Sequence, residues 1–441
     1  MRPHSILIVT FLFAAAVRLI YVATLGGDAS FFAEADTGLY WSMSEHPRDA
    51  LFSTTDRMPL YPLFLAACRA LFGAAPRAVA FLQALLDAGT CAMIARLALF
   101  VSRPAGIAAG ILSACSATLI VYSAQMLTDT LTLFFLTAAF LLTALFLQRP
   151  SLAMAAGAGL AAGLALAVRP AVALLLPAIA VLILARMIRL DFRRAVVCSA
   201  LFCVVAAVPV APTVVRNYVY FDRFALTSQS GIALAIWIAP MLQQRQDGTP
   251  YEVSVNKMTA AFDDAVKRAP DAYRDPFQQS SLYTKLARAE LASISPMTFI
   301  KAWIEGAATN LLAPAALGDP RVRSMEKPSF FATPGQSMLE RAMHYFKSSS
   351  VSFAIVIIAG VAGSIFSIAL SAIGFTLLCR ERAGWAVLAA VPVVYFLVLT
   401  GPVVSAKYRI PMEPSLIVLA GIGLAAIWSA ATSRRNAQRL T

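Results

Sequence analysis

Ten stretches of this sequence are apolar over close to the length needed to cross a bilayer, and that limits the fold more than any other feature. They lie near residues 5–25, 77–101, 104–122, 128–147, 151–168, 170–186, 195–214, 351–378, 384–400 and 410–431. A helix needs about 20 mostly apolar residues to span the hydrocarbon core. Only helices and closed barrels satisfy their backbone in lipid, and barrel strands would alternate where these runs are continuous. The sequence therefore predicts an all-α polytopic membrane protein of about ten transmembrane helices. A further apolar stretch at 59–73 is bounded by Pro59, Pro62 and Gly73 and reads as a re-entrant or interfacial helix.

Charge supports this layout. Only 13% of residues are charged, against about 25% in soluble domains. The formal charge of +13 would suggest nucleic acid in a soluble protein. Here most basic residues sit in short connections between spans, where the positive-inside rule accounts for them. No basic patch is interleaved with aromatics, so nucleic acid is not an expected partner. The bilayer is. Cys68, Cys91, Cys115, Cys198, Cys203 and Cys379 lie almost all in apolar segments without paired spacing, and read as small buried hydrophobes. His4, His46 and His344 are too scattered for a histidine metal site. The N-terminal apolar run has no clear cleavage site and reads as an uncleaved span.

With ten spans both ends of the chain share one side. The connections on that side contain Arg2, Arg103, Arg149, the run R-M-I-R-L-D-F-R-R at 186–194, Arg380, Arg382 and the tail Arg434, Arg435 and Arg439. Such a basic set is expected to be cytoplasmic. The opposite set holds an acidic first loop and the long polar stretch 216–349. The chain is thus divided into an N-terminal transmembrane bundle (1–215, including a first outer loop at 26–59), a mostly helical outer region (216–349) and C-terminal transmembrane helices (350–441). Within the outer region, 252–268 and 278–293 have helical periodicity, 296–316 is amphipathic and suits a membrane surface, and 318–337 reads as loop.

The first loop places Asp28, Glu34, Asp36, Glu45, Asp49, Asp56 and Arg57 beside the membrane in a chain otherwise poor in carboxylates. Asp36, one helical turn before Tyr40, suits a helix N-cap or a catalytic base equally. Asp56 and Arg57 form either a solvated turn or a phosphate contact, for which the guanidinium fork is suited. Arg169, Arg216, Lys407 and Arg409 all lie at span ends on the outer side, where the charge rule disfavours them. Any one can snorkel, but four facing an acidic loop point to an anion site. Arg18, Asp87 and Asp129 lie within apolar runs, where a charge costs roughly 2.5–3.5 kcal/mol and so has a function or an internal partner. Arg18 and Asp129 are near enough to outer ends to face the site, whereas Asp87 reads as structural. There is no P-loop, no Rossmann fingerprint and no zinc spacing. The acid-rich loop leaves a divalent metal open, although no ligand spacing argues for one.

Several short motifs, in this order and spacing, carry a family resemblance. They are D-x-x-x-Y at Asp36–Tyr40, R-M-P-L-Y-P-L-F-L-A at 57–66, Y-S-A-Q-M-L-T-D-T-L at 122–131, V-R-P at 168–170, V-R-N-Y at 215–218 and K-Y-R-I-P-M-E-P at 407–414. The chain resembles the GT-C glycosyltransferases, and within them the glycosyltransferase family 39 or aminoarabinose-transferase type. The resemblance implies a GT-C-like bundle with a periplasmic helical region, in a bacterial inner membrane. It implies an inverting enzyme that moves a sugar from a polyprenyl-phosphate donor to an envelope glycan, lipid or protein, with lipid A and other polysaccharides among the acceptors. Asp36 and Asp56 would be catalytic, with Asp36 on the acceptor hydroxyl. Arg57, Arg216, Lys407 and Arg409 would bind the donor phosphate. Glu34, Tyr40, Tyr61, Asp129, Arg169 and Tyr408 would contact substrate. Thr128-Asp129 stands where many relatives have Glu, and the large soluble domains of several relatives are missing. A lipid-linked oligosaccharide polymerase or ligase, or a lipid-linked-sugar flippase, are the alternatives. A transporter should show inverted repeats and broken helices at mid-membrane, and the sequence shows neither.

Overall fold

The computed structural model describes residues 2–26, 29–33, 36–188, 191–329, 333 and 338–438, and every regular element among them is helical. The first crossing helix is α1 (Pro3–Thr24). The first loop carries a 3-10 turn (Ala29–Phe32), α2 (Thr37–Met43) and α3 (Pro47–Phe52). Then come α4 (Leu60–Phe72), α5 (Pro76–Leu99), α6 (Arg103–Ala114), α7 (Ala117–Ser123), α8 (Thr128–Gln148), α9 (Leu152–Val168), α10 (Leu175–Met187), α11 (Phe192–Ala207) and α12 (Ala211–Phe221). The polar region holds α13 (Ser230–Ile232), running through a π-helical stretch (Ala233–Ile238) into α14 (Ala239–Asp247). It continues with α15 (Tyr251–Arg268), α16 (Pro276–Leu291), α17 (Pro296–Leu312), α18 (Pro320–Arg323) and α19 (Met338–Lys347). The chain ends with α20 (Val351–Glu381), α21 (Ala383–Thr400) and α22 (Glu413–Gln438).

Seven described helical segments are long and apolar enough to cross a membrane, and two bent pairs bring the number to nine. The tenth expected span is α9, which at 17 residues is slightly short. At 13 residues α4 reaches only about 20 Å, too little for a core of about 30 Å. Helix starts follow local chemistry. Ser102, Ser116, Ser151 and Ser350 each accept a backbone N–H from the first turn of α6, α7, α9 and α20, which satisfies a donor that lipid would leave orphaned.

The expected spans at 104–122 and 195–214 are each broken by a bend, which corrects the expectation that the chain has no broken helices. The pair α11 and α12 bends by 62° at Pro209 and Pro212, since proline lacks the N–H that would continue the ladder. The pair α6 and α7 bends by 46° without proline. There the guanidinium of Arg18 donates to the carbonyls of Ser113 (3.1 Å) and Ala114 (3.0 Å); the Ser113 carbonyl also accepts the Ser116 N–H at 3.3 Å, whereas Arg18 is the donor that satisfies Ala114.

Arg18 also pairs with Asp87 of α5 at 2.5 Å, and both are buried. The expectation that Arg18 faces the site is therefore overturned, since its charge is spent inside the bundle. On the other side of the bundle, α9 and α11 meet through the G-x-x-x-G of Gly159 and Gly163. A Cβ at those positions would lie 2.5 Å from the Phe202 carbonyl oxygen and 2.3 Å from that of Ala206. Close backbone approach through small residues is how membrane helices pack without a hydrophobic driving force.

In the polar region, α15 and α16 fall on the two segments with helical periodicity. The amphipathic stretch forms α17, which docks on the end of α21. Trp303 donates to the Val398 carbonyl at 2.9 Å, and Gly306 packs where a Cβ would sit 2.1 Å from the Gly401 carbonyl oxygen. The expected loop at 318–337 is helical in its first part, and much of the rest lies outside the described residues. Its start straps the bundle. Asp319 accepts from Tyr21 (3.0 Å) and from two guanidinium nitrogens of Arg321, while Arg323 donates to the Ala33 carbonyl of the first loop.

Burial works against the charge on Asp319, but the Arg321 and Tyr21 hydrogen bonds outweigh it and hold the carboxyl below its usual range. A lowered folded-state value adds stability above the unfolded value, and this is lost as pH falls through the folded one. Asp319→Asn should therefore cost about 1 kcal/mol at neutral pH, the gap between charged and neutral hydrogen bonds. It should also flatten the loss of melting temperature below about pH 4. Melts of both proteins in detergent across pH 3–7 check this, and parallel curves would refute it.

Candidate functional site

The first loop is fixed from below. The Met126 N–H donates to the Phe32 carbonyl at 3.0 Å, and the Thr37 hydroxyl donates to the Met126 carbonyl at 3.1 Å. This pins the start of α2 to the junction of α7 and α8. Asp36 sits at the N-cap position of α2, yet its side chain makes no capping hydrogen bond. Its carboxylate is 44% exposed and lies 3.5 Å from a guanidinium nitrogen of Arg57. The side chain is thus not used for the capping that its position invites.

Arg57 is held at a turn whose two flanks are anchored. Met58 is buried in a small apolar cluster with Leu166, Ala167 and Val210. Thr55 accepts the Ser228 N–H at 2.9 Å, and their hydroxyls meet at 3.1 Å. The Arg57 guanidinium, only 13% exposed, also contacts the Asp56 carboxylate at 3.3 Å. One cation therefore stands between two half-exposed carboxylates.

Behind them lies a second charge pair. Asp129, in the first turn of α8, accepts from Arg169 at the C-terminus of α9. A carboxylate is favoured at a helix N-terminus, and Arg169 offsets the cost of burying it. Tyr40 packs edge-on against Tyr61 with ring centroids 5.2 Å apart. Burial pushes the Tyr40 hydroxyl to ionise at higher pH than a free phenol; Arg57 and Arg169 work against this, and Asp36 and Asp129 add to it. Four charges from three segments thus surround one phenol. The charge of Arg169 also reaches Tyr408, which in turn interacts with Asp36 and with Tyr251 of α15.

Tyr61 donates to Gln83 at 2.9 Å, and Gln83 donates to the carbonyls of Ser123 and Gln125. Gln83 thereby ties α4 to the end of α7. Attention to charged residues alone passes over it, although a glutamine within an apolar span was a visible signal. Tyr251 carried no such signal.

The structure therefore brings together Asp36, Asp56, Arg57, Tyr40, Tyr61, Asp129, Arg169 and Tyr408. It gives two of the expected phosphate ligands other partners. Arg216 is buried and donates to Asn217 Oδ1 (3.0 and 2.8 Å) and to the Leu51 carbonyl (2.8 Å), clamping α12 to α3. Arg409 is buried in an ion pair with Glu413 at 2.7 Å and donates to the Leu311 carbonyl at 2.6 Å. Lys407, two residues away, is half-buried and makes no hydrogen bond or ion pair among the described residues. The turn that carries it is held by Asn310, which contacts Thr400, Val403 and Ser405. Glu34 lies outside the described residues. Among those residues no three His, Cys, Asp or Glu side chains stand close enough to hold a metal.

Residues 56–215 match the family model described as dolichyl-phosphate-mannose-protein mannosyltransferase. Over the full chain, the fold matches an archaeal oligosaccharyltransferase, AglB from Archaeoglobus fulgidus, solved with an inhibitory peptide and a dolichol-phosphate. Identity is 13%, the TM-score is 0.57, and the match covers 100% of this chain and 52% of that one. This is the GT-C glycosyltransferase fold. A second structure of the A. fulgidus oligosaccharyltransferase, tethered to an acceptor peptide, matches at 12% identity and a TM-score of 0.52, covering 97% of this chain and 50% of that one. The chain thus spans about half the length of these relatives. ArnT from Cupriavidus metallidurans, in the apo state, aligns at 15% identity over 94% of this chain and 77% of that one, but its TM-score of 0.40 is too low to support an inference. No curated protein matches the sequence. The matched segment begins at Asp56 and contains Arg57, Asp129 and Arg169, while Asp36, Tyr40 and Tyr408 of the same cluster lie outside it.

Proposed function

We propose that this GT-C-type glycosyltransferase moves a sugar from a polyprenyl-phosphate donor to a hydroxyl on an envelope glycan, lipid or protein, with inversion. The observation that carries the reading is the Asp36–Arg57 contact, a non-capping, half-exposed carboxylate beside a cation. Asp36 takes the proton from the acceptor hydroxyl as its oxygen bonds to the sugar's anomeric carbon. The bond from that carbon to the phosphate oxygen breaks, and the polyprenyl phosphate leaves with both electrons towards Arg57. One displacement inverts the anomeric centre. Stabilising the charge that develops on the leaving phosphate is the largest expected term, and the base adds roughly 10²–10⁴-fold. Asp56 orients Arg57 and contacts the acceptor. Tyr40 and Tyr408, with Tyr61 behind, flank the sugar, and the Asp129–Arg169 pair sets the field around it.

Lys407 is assigned to the donor phosphate with Arg57. Arg216 and Arg409 move to positioning roles, holding α3 and the 407–409 turn in place. The outer region 216–349, which supplies Ser228 and Tyr251, shapes acceptor choice. This reading puts the site on the periplasmic face of a bacterial inner membrane with both termini cytoplasmic; its support is the basic set Arg2, Arg103, Arg149, Arg380 and Arg382 in connections that the charge rule assigns to the cytoplasm.

The test is direct. Purified protein is given a polyprenyl-phosphate sugar, with envelope glycans from a deletion strain as acceptors, and products are read by mass spectrometry. Arg57→Ala should lower transfer by roughly 10²–10³-fold, the usual loss of one transition-state donor. Arg57→Lys should recover part of it, because charge returns without the fork. Full activity in Arg57→Ala would remove this cation from the mechanism. If deletion instead traps lipid-linked sugar on the inner leaflet and the purified protein transfers nothing, the protein is a flippase.

A further inference from the structure

A narrow cavity runs between the membrane helices from Pro414 towards Trp385, and two arginines stand close to its Trp385 end. It has a volume of about 50 Å³ and is bounded by α5, α8, α20, α21 and α22, with Val101, Phe140, Leu378, Trp385, Pro414 and Ile422 among its walls. The wall is apolar apart from Ser415. On α5 it touches Leu97, 14 residues and about 21 Å along the axis from Gln83, which supports the site. On α22 it runs from Pro414 to Ile422, a further ~12 Å, so it is long and narrow.

Two arginines stand at the Trp385 end. The Phe100 and Trp385 rings pack at 5.4 Å. Arg96 lies over the Phe100 ring at 4.2 Å, and Arg382 donates to the Phe100 carbonyl at 2.8 Å. Neither is ion-paired among the described residues, and exposed Arg103 and Arg380 lie close in sequence, with Glu381 as the one neighbouring acid. An apolar slot between membrane helices would be filled by a lipid chain, and a cationic mouth selects the sign of the headgroup. We propose that this slot binds one acyl chain of an anionic diacyl phospholipid, with its headgroup phosphate on Arg96 and Arg382. The substrate's prenyl tail is disfavoured as occupant because its phosphate would then sit at the wrong end of the bundle. The inference does not depend on the sugar-transfer reading.

The test uses the full chain in phosphatidylcholine nanodiscs doped with lipids brominated on the acyl chain. Quenching of Trp385 is taken as the difference between wild type and Trp385→Phe. Dibrominated phosphatidylglycerol should quench it at a mole fraction on the order of tenfold lower than dibrominated phosphatidylcholine does, as two cationic contacts near the surface imply. Arg96→Gln with Arg382→Gln keeps donors for the Phe100 carbonyl but removes charge, and should make the two lipids equal. Ala389→Phe should fill the slot and abolish the quenching by both. Equal quenching by the two lipids in wild type would overturn the proposal, as would quenching that survives Ala389→Phe. Protection of Trp385 by polyprenyl phosphate but not by phosphatidylglycerol would give the slot to the substrate instead.

Discussion

Asp36→Asn should lower sugar transfer by roughly 10²–10⁴-fold and leave the folded protein almost unchanged. The two halves of this expectation have separate grounds. The rate falls because an amide cannot accept the acceptor's proton, and among the described residues no other carboxylate stands in the same place. Asp56 contacts the other terminal guanidinium nitrogen of Arg57, at 3.3 Å. Stability is spared because Asp36 makes no cap bond, and its 3.5 Å contact with Arg57 is half-exposed, worth about 0–1 kcal/mol. If Asp36 served as a cap after all, Asn would cap nearly as well, and rate and stability would both survive. Initial rates and melting temperature, measured on the same preparation, distinguish these outcomes. Wild-type rates in Asp36→Asn would end its assignment as the base. Asp36→Glu is a useful intermediate, since it keeps the base but displaces it by one methylene.

What the sequence made legible follows from what lipid demands. Length and hydropathy decide a span, so every apolar run has a helical counterpart, and α4 is as short as its flanking Pro59 and Gly73 suggested. Charge pairing was less legible, because partners are chosen in space. Arg18 and Asp87 are 69 residues apart, and nothing in either run names the other. Arg216 shows the same limit. Its position at a span end invited an anion, but the Leu51 carbonyl, 165 residues away, takes part of its guanidinium. Arg409 is instructive in a different way, since Glu413 stands one helical turn on in the same motif and the pairing was readable. The bends divide similarly. Pro209 and Pro212 were visible in the sequence, whereas the break after Ala114 is stabilised by an arginine from another helix.

The second large effect belongs to that arginine. Arg18→Ala or Asp87→Ala should each destabilise the protein by about 3–5 kcal/mol, because either leaves a buried charge without its partner. Removing both is the informative experiment. Replacing a buried ion pair by apolar groups of similar volume is often neutral, so Arg18→Met with Asp87→Leu would be harmless if the pair were the whole story. It is not, since Arg18 also donates to the carbonyls of Ser113 and Ala114 where α6 stops. Ser113 keeps the Ser116 N–H, but the Ala114 carbonyl would have no other donor among the described residues and no water to turn to. The double variant should therefore remain about 1–3 kcal/mol less stable than wild type, the cost of leaving such groups unsatisfied. Detergent melts of the two single variants and the double variant read this directly. A double variant as stable as wild type would show that the bend closes its own hydrogen bonds. Single variants with unchanged melting temperatures would show that the pair itself contributes nothing. Because Arg18 is spent on the bend and not on the site, transfer activity per folded molecule should persist in the double variant, whereas Asp36→Asn loses activity and keeps its fold.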